Sequence, residues 1–251
     1  MVFRTLHLAA AAALACTAIS AHAGPVSIKV GFAQGSVNMT VGATNAGGSV
    51  TASVGAFKGL TGASSPYNTN AFITYCVELT QNLSIGALHS NYTLMDGAVY
   101  FSRIAVGSTV VVDRLVNLFS FLGGIKAPTS TIQSAAIQLA VWESIYEGTT
   151  AFGSVAGSVS GIGAGTFAAT NNGTTLAAIN AANIILNGAR TFTGPDLFSV
   201  QVLSSPVNQD LLVLTRLPDS AGRVIPEPAT LALALAALLG VGVVTRRRRN
   251  A

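Results

Sequence analysis

Cys76, in the stretch FITYCVEL, and Gln138, in AIQLAVWE, are two side chains whose types allow covalent chemistry between them. A cysteine sulfur that attacks the side-chain carbonyl carbon of a glutamine expels ammonia and leaves an internal thioester. The acyl group can then pass to an amine or hydroxyl, forming an amide or ester bond with a second molecule. Such a bond survives in water only where the protein buries it, so it needs an apolar, aromatic-lined surround. At helical spacing the neighbours of Gln138 are Ser134, Ala135, Val141 and Trp142, three of them apolar. Plainer readings stand beside this one. A free cysteine can be inert core or pair between chains. A glutamine on an apolar surface can cap a strand edge, because a buried amide without hydrogen bonds costs about 1–3 kcal/mol.

Cys76 gains weight from being alone. The other cysteine, Cys16, sits in a segment with a basic start at Arg4, an apolar stretch from Leu8 to Ile19, and the small-residue sequence AHA before Gly24. That pattern predicts a secretory signal peptide over residues 1–23, cut between Ala23 and Gly24. Exported cysteines ordinarily come in pairs, and here one remains. Removing the ends also changes the charge. Arg4, Arg246, Arg247, Arg248 and Arg249 are five of 13 basic residues and Glu227 is one of nine acids, leaving eight of each in the body between Gly24 and Ile225. The net charge of +4 therefore belongs to the terminal segments and says nothing of nucleic acid. His7 and His22 go with the signal peptide, leaving His89. One histidine, one cysteine and scattered acids predict no metal site and no cofactor. With no G-x-S-x-G elbow, a hydrolase triad is disfavoured as well.

The elements that must position the pair change character along the chain. VSIKVGF, VNMTVGA, SVTASVGAF and AFITYCVEL carry the branched and aromatic residues of strands, with LTGASSPYNTN as a loop between the last two. Residues 108–124 place Val111, Leu115, Leu118, Phe119 and Leu122 at helical spacing and stop at a glycine pair. After Pro128, TSTIQSAAIQLAVWESIYEG predicts a second helix, with Thr or Ser at its N-cap and Gln138 on it. Residues 149–174 read as a loop or an ill-defined strand pair, and TLAAINAANIILNGA as a third helix. FSVQVLSS and QDLLVLTRL close the body as a hairpin. The expectation is α+β: an antiparallel β-rich body with two or three helices in the middle. Cys76 then lies in a β region and Gln138 on a later helix. Tyr75 should face the opposite side of the strand from Cys76, with Glu78 on the same side. Trp142, one turn beyond Gln138, could shield the bond or serve as plain core. His89 could assist acyl transfer as a general base or be a bystander.

At the C-terminus, Pro226-Glu227-Pro228 precedes a 16-residue apolar run from Ala229 to Val244 and four consecutive arginines, Arg246, Arg247, Arg248 and Arg249. The run is a little short of the roughly 20 residues that span a hydrocarbon core, but arginine stems can snorkel to extend it. The arginines read as a cytoplasmic stop. The three parts together resemble the PEP-CTERM sorting signal of Gram-negative bacteria. The resemblance implies export through the Sec machinery, a transient stay in the inner membrane, recognition of Pro-Glu-Pro by an exosortase, and a final place at the cell surface or in the extracellular matrix.

The body carries a second resemblance. Tyr75-Cys76, followed 62 residues after the cysteine by Gln138 within Ile137-Gln138-Leu139-Ala140-Val141-Trp142, is similar to the paired motifs of the thioester domains of Gram-positive surface adhesins. Ile137 stands where those motifs often have threonine. The resemblance covers about residues 70–215 and implies a Cys76–Gln138 thioester used once, as an adhesin rather than an enzyme, on an amine- or hydroxyl-bearing surface or matrix molecule. The other expectation is a non-covalent component of the extracellular polysaccharide matrix, or biofilm, with an inert cysteine. The predicted organisation is a signal peptide at 1–23, a thioester-like α+β domain at 24–217, a linker at 218–225 and the sorting signal with its transmembrane helix at 226–251.

Overall fold

The computed structural model describes residues 26–61, 72–103, 108–124, 128–147, 156–158, 166–170 and 173–218. The predicted signal peptide and nearly all of the linker lie outside these residues. So does the sorting signal, with Pro226, Glu227 and Pro228 and the membrane-stop arginines Arg246, Arg247, Arg248 and Arg249. No described helix is long and apolar enough to cross a membrane.

Strict alternation starts the chain: Val26, Ile28 and Val30 of strand β1 (Val26–Phe32) point into the core while Lys29 faces solvent. β1 pairs with β4 (Phe57–Thr61) on one side and β6 (Leu88–Asp96) on the other. With β5 (Phe72–Cys76), β9 (Phe198–Ser204) and β10 (Leu211–Arg216), these strands close a barrel in the order β1-β4-β5-β10-β9-β6. Closure gives every barrel strand a neighbour on both sides, although β5 pairs only briefly with β4 and β10. A second sheet runs β3-β2-β8-β7, formed by β2 (Val37–Ala43), β3 (Gly48–Val54), β7 (Ala156–Ser158) and β8 (Phe167–Thr170). Every described pairing is antiparallel except β7 with β8.

Among the described residues four helices accompany the sheets, where the sequence predicts two or three. The additional helix is α1 (Gly97–Phe101), started by the Asp96 carboxylate, which accepts from the N–H groups of Ala98 and Val99. Five residues are too few for a helical period to show. β4 and β6 are the other elements that the patterns do not predict: SVTASVGAF ends as β3 at Val54, a separate β4 runs on to Thr61 into the predicted loop, and the alternation of β6 is broken, with Asn91 at a left-handed φ of 70°. α2 (Ser108–Phe121) ends as expected at Gly123 and Gly124, both at positive φ, where the Gly124 N–H donates to Phe119 O at 2.9 Å. α3 (Thr131–Tyr146) and α4 (Thr174–Arg190) follow, and α4 packs against both α2 and α3.

α3 sets the site. Its N-cap is Ser130, whose hydroxyl accepts from the Gln133 N–H at 3.1 Å. Every residue from Ser134 to Tyr146 is buried, the condition of a helix surrounded on all sides rather than laid on a surface. It packs on α4 and α2, on β2, β3 and β8 of the second sheet, and on β5. In that position Ser134 and Gln138 bond to main-chain groups at strand ends, while Ser144 bonds back to Ala140 O within the helix.

Candidate functional site

β4 and β5 part company just where Cys76 stands. Their register sets Phe57 opposite Thr74, so a continuation would set Gly55 opposite Cys76. β4 begins only at Phe57, however, and the Cys76 N–H and C=O on that side have no strand to pair with. On the other side β5 remains held: Leu211 of β10 is the partner of Cys76, and the Val77 N–H donates to Asp210 O at 3.0 Å.

α3 supplies what β4 does not. The Cys76 N–H donates to Gln138 Oε1 at 2.8 Å, and Gln138 Nε2 donates to Cys76 O at 2.9 Å. The glutamine amide thus extends the sheet by one peptide-like unit, fully buried and with both ends satisfied. One turn earlier, Ser134 Oγ accepts from the Ala56 N–H at 2.7 Å and donates to Gly35 O at 3.3 Å. The gap is narrow: a Cβ placed on Gly55 would sit 2.7 Å from Gly35 O and 3.0 Å from Ser134 Oγ. Ser134, Gln138 and Trp142 follow one another at four-residue steps along the same stripe.

Cys76 and Trp142 also share a cleft of about 460 Å³. Glu78, Gln81 and Gln209 line it as well, with residues 50–53 of β3 along one wall. Four consecutive strand residues border one cleft only if the strand turns its edge toward it, because side chains alternate. Among the described residues β3 pairs only with β2. Trp142 is 4% exposed, tilts against Phe167 with ring centroids 6.4 Å apart, and its Nε1–H has no hydrogen-bond partner among the described residues. Cys76 is a free thiol, 7% exposed. Burial pushes its pKa far above the ordinary cysteine value, and the negative charge of Glu78 adds to this. Glu78 is itself raised to about 7, first by desolvation and then by Asp210, while a backbone hydrogen bond at Asp210 acts the other way.

Tyr75 faces away from Cys76, its ring 5.8 Å from that of Phe119 in α2. His89 is not among the residues lining the cleft. It stands near the start of β6, which lies three strands from β5 in either direction around the barrel. Its Nε2 donates to Ser84 O at 2.8 Å and its Nδ1 lies 3.0 Å from Asn208 Oδ1. Both ring nitrogens are therefore engaged in holding the Ser84 and Asn208 loops. The residues that sequence patterns do not single out are Ser134 and Gln209, whose Nε2 donates to Glu78 O at 2.8 Å. Gln209 precedes β10 by two positions and carries no local signal.

No protein-family model matches the chain, and no curated protein does. Among solved structures the fold is similar to the N-terminal thioester domain of a surface protein from Clostridium perfringens, solved as a cysteine-to-alanine mutant. The identity is 14%, the match covers 64% of this chain and 89% of that one, and the TM-score is 0.39. No residue of the site is assigned from that likeness.

Proposed function

We propose that the chain is an exported, exosortase-sorted surface or matrix protein that binds a partner covalently through a thioester between Cys76 and Gln138. The observation that carries the reading is the pair of hydrogen bonds that hold the Gln138 amide against the Cys76 backbone, beside a cleft. In bond formation Cys76 Sγ adds to the Gln138 side-chain carbonyl carbon. Negative charge grows on Oε1, where the Cys76 N–H already donates. The C–N bond breaks, the amide nitrogen leaves as ammonia with the thiol proton, and the C–S bond remains. Trp142 excludes water from the acyl group. An amine or hydroxyl reaching through the cleft then takes the acyl group in a single turnover. Loss of one ammonia from the intact mass of the mature domain tests this.

A second reading is a non-covalent matrix component with an inert cysteine. The observation in its favour is that the Gln138 amide is already fully satisfied by main-chain partners, as a purely structural strand extension would be. It predicts that Cys76→Ser leaves retention in the matrix unchanged.

A further inference from the structure

We infer that Glu78 is the proton-transfer residue of this site, taking a proton from the incoming nucleophile and returning it to Cys76 Sγ as the thioester opens. This rests on the thioester reading. Of the described residues lining the cleft, Cys76 and Glu78 are the two that titrate. Glu78 Oε2 is buried and has no hydrogen-bond partner among the described residues, as does Gln81 Oε1 on the same lining. An orphan carboxylate oxygen at a cleft wall is an acceptor awaiting a donor. His89, the alternative base, does not line the cleft and has both ring nitrogens engaged by Ser84 and Asn208.

The chemistry requires such a group. Burial raises the Cys76 thiol pKa so far that departure as a bare thiolate is costly. An amine that attacks the Gln138 carbonyl carbon becomes cationic and must shed a proton. One carboxylate answers both needs: the N–C bond forms, the C–S bond breaks, and the amine proton passes by way of Glu78 to sulfur. Thioester and amine become amide and thiol, with nothing oxidised or reduced. Around Glu78 the charged and titratable groups are Asp210, Cys76 and the phenols of Tyr92, Tyr100 and Tyr146. Arg103 acts on Asp210. In that setting the carboxyl titrates at about 7, where a group that both accepts and returns a proton works best.

The test uses methylamine as the nucleophile on the mature wild-type protein and on Glu78→Gln, followed by intact mass. Both should first show the loss of one ammonia. Glu78→Gln should then react about 10²-fold more slowly. The wild-type rate, corrected for the neutral fraction of methylamine, should rise through an inflection near pH 7 that Glu78→Gln lacks and Glu78→Asp retains. An intact bond in Glu78→Gln that opens at the wild-type rate, or a flat corrected profile in the wild type, would overturn the assignment of Glu78 alone. If Glu78→Gln fails to close the bond, the wild-type profile decides: an inflection supports the assignment and a flat profile overturns it. A wild-type mass without ammonia loss would remove the thioester, and Glu78's role with it, before methylamine is added.

Discussion

At the residue scale, the Gln138 amide bonds to the main chain of Cys76 and not to its side chain. Cys76→Ala therefore keeps both hydrogen bonds while removing the sulfur. It should fold and show the full mass expected without ammonia loss. Gln138→Leu, made in the Cys76→Ala background, strands a buried N–H and C=O. It should cost about 3 kcal/mol in urea unfolding, and a change below about 0.5 kcal/mol would mean that water or another group replaces the amide. On the thioester reading, Trp142→Ala opens the cleft side of the bond. The mature protein should lose its thioester to water faster than wild type, measured as gain of one water over time, and an unchanged rate would show that Trp142 shields nothing.

At the element scale, α3 is the part that brings strand ends and chemistry together. Ser134 and Gln138 together replace the missing start of β4, so Ser134→Ala leaves the Ala56 N–H without its acceptor. The expected cost is about 1–3 kcal/mol in urea unfolding. Ser130→Ala removes the N-cap about two turns before Gln138 and should cost about 1 kcal/mol with no change in thioester content. The helices were legible because their ends carry chemistry: Ser130 at the start of α3, Gly123 and Gly124 after α2. β1 and β2 were legible because branched residues recur along them and β1 alternates cleanly. β6 and α1 were not, because Asn91 interrupts one and the other spans barely a turn. Cys76 and Gln138 stood out as residue types at odds with their setting. Nothing local marked Gln209, since its place beside Glu78 depends on how the barrel closes. His89 drew notice by being the sole body histidine, a property of composition and not of position.

At the scale of the whole molecule, the barrel, the second sheet and α3 bury a carboxyl that would rather stay neutral. Glu78 has a folded pKa of about 7 against the ordinary 4.5, so the folded state holds its proton more tightly than the unfolded chain does. Stability from this group is complete below pH 4.5 and is lost as pH rises through about 7. Glu78→Gln should therefore gain in Tm relative to wild type as pH goes from 4.5 to 7, and then level off. A constant difference across that range would mean that Glu78 titrates as an ordinary exposed acid. All of these expectations gather around one bond. Intact mass of the purified mature domain tests it most directly. The account predicts a mass short by one ammonia, restored in Cys76→Ala, and no thiol titratable after unfolding under conditions that preserve the thioester. A wild-type mass equal to the full sequence, with Cys76 freely titratable in the unfolded chain, would contradict it.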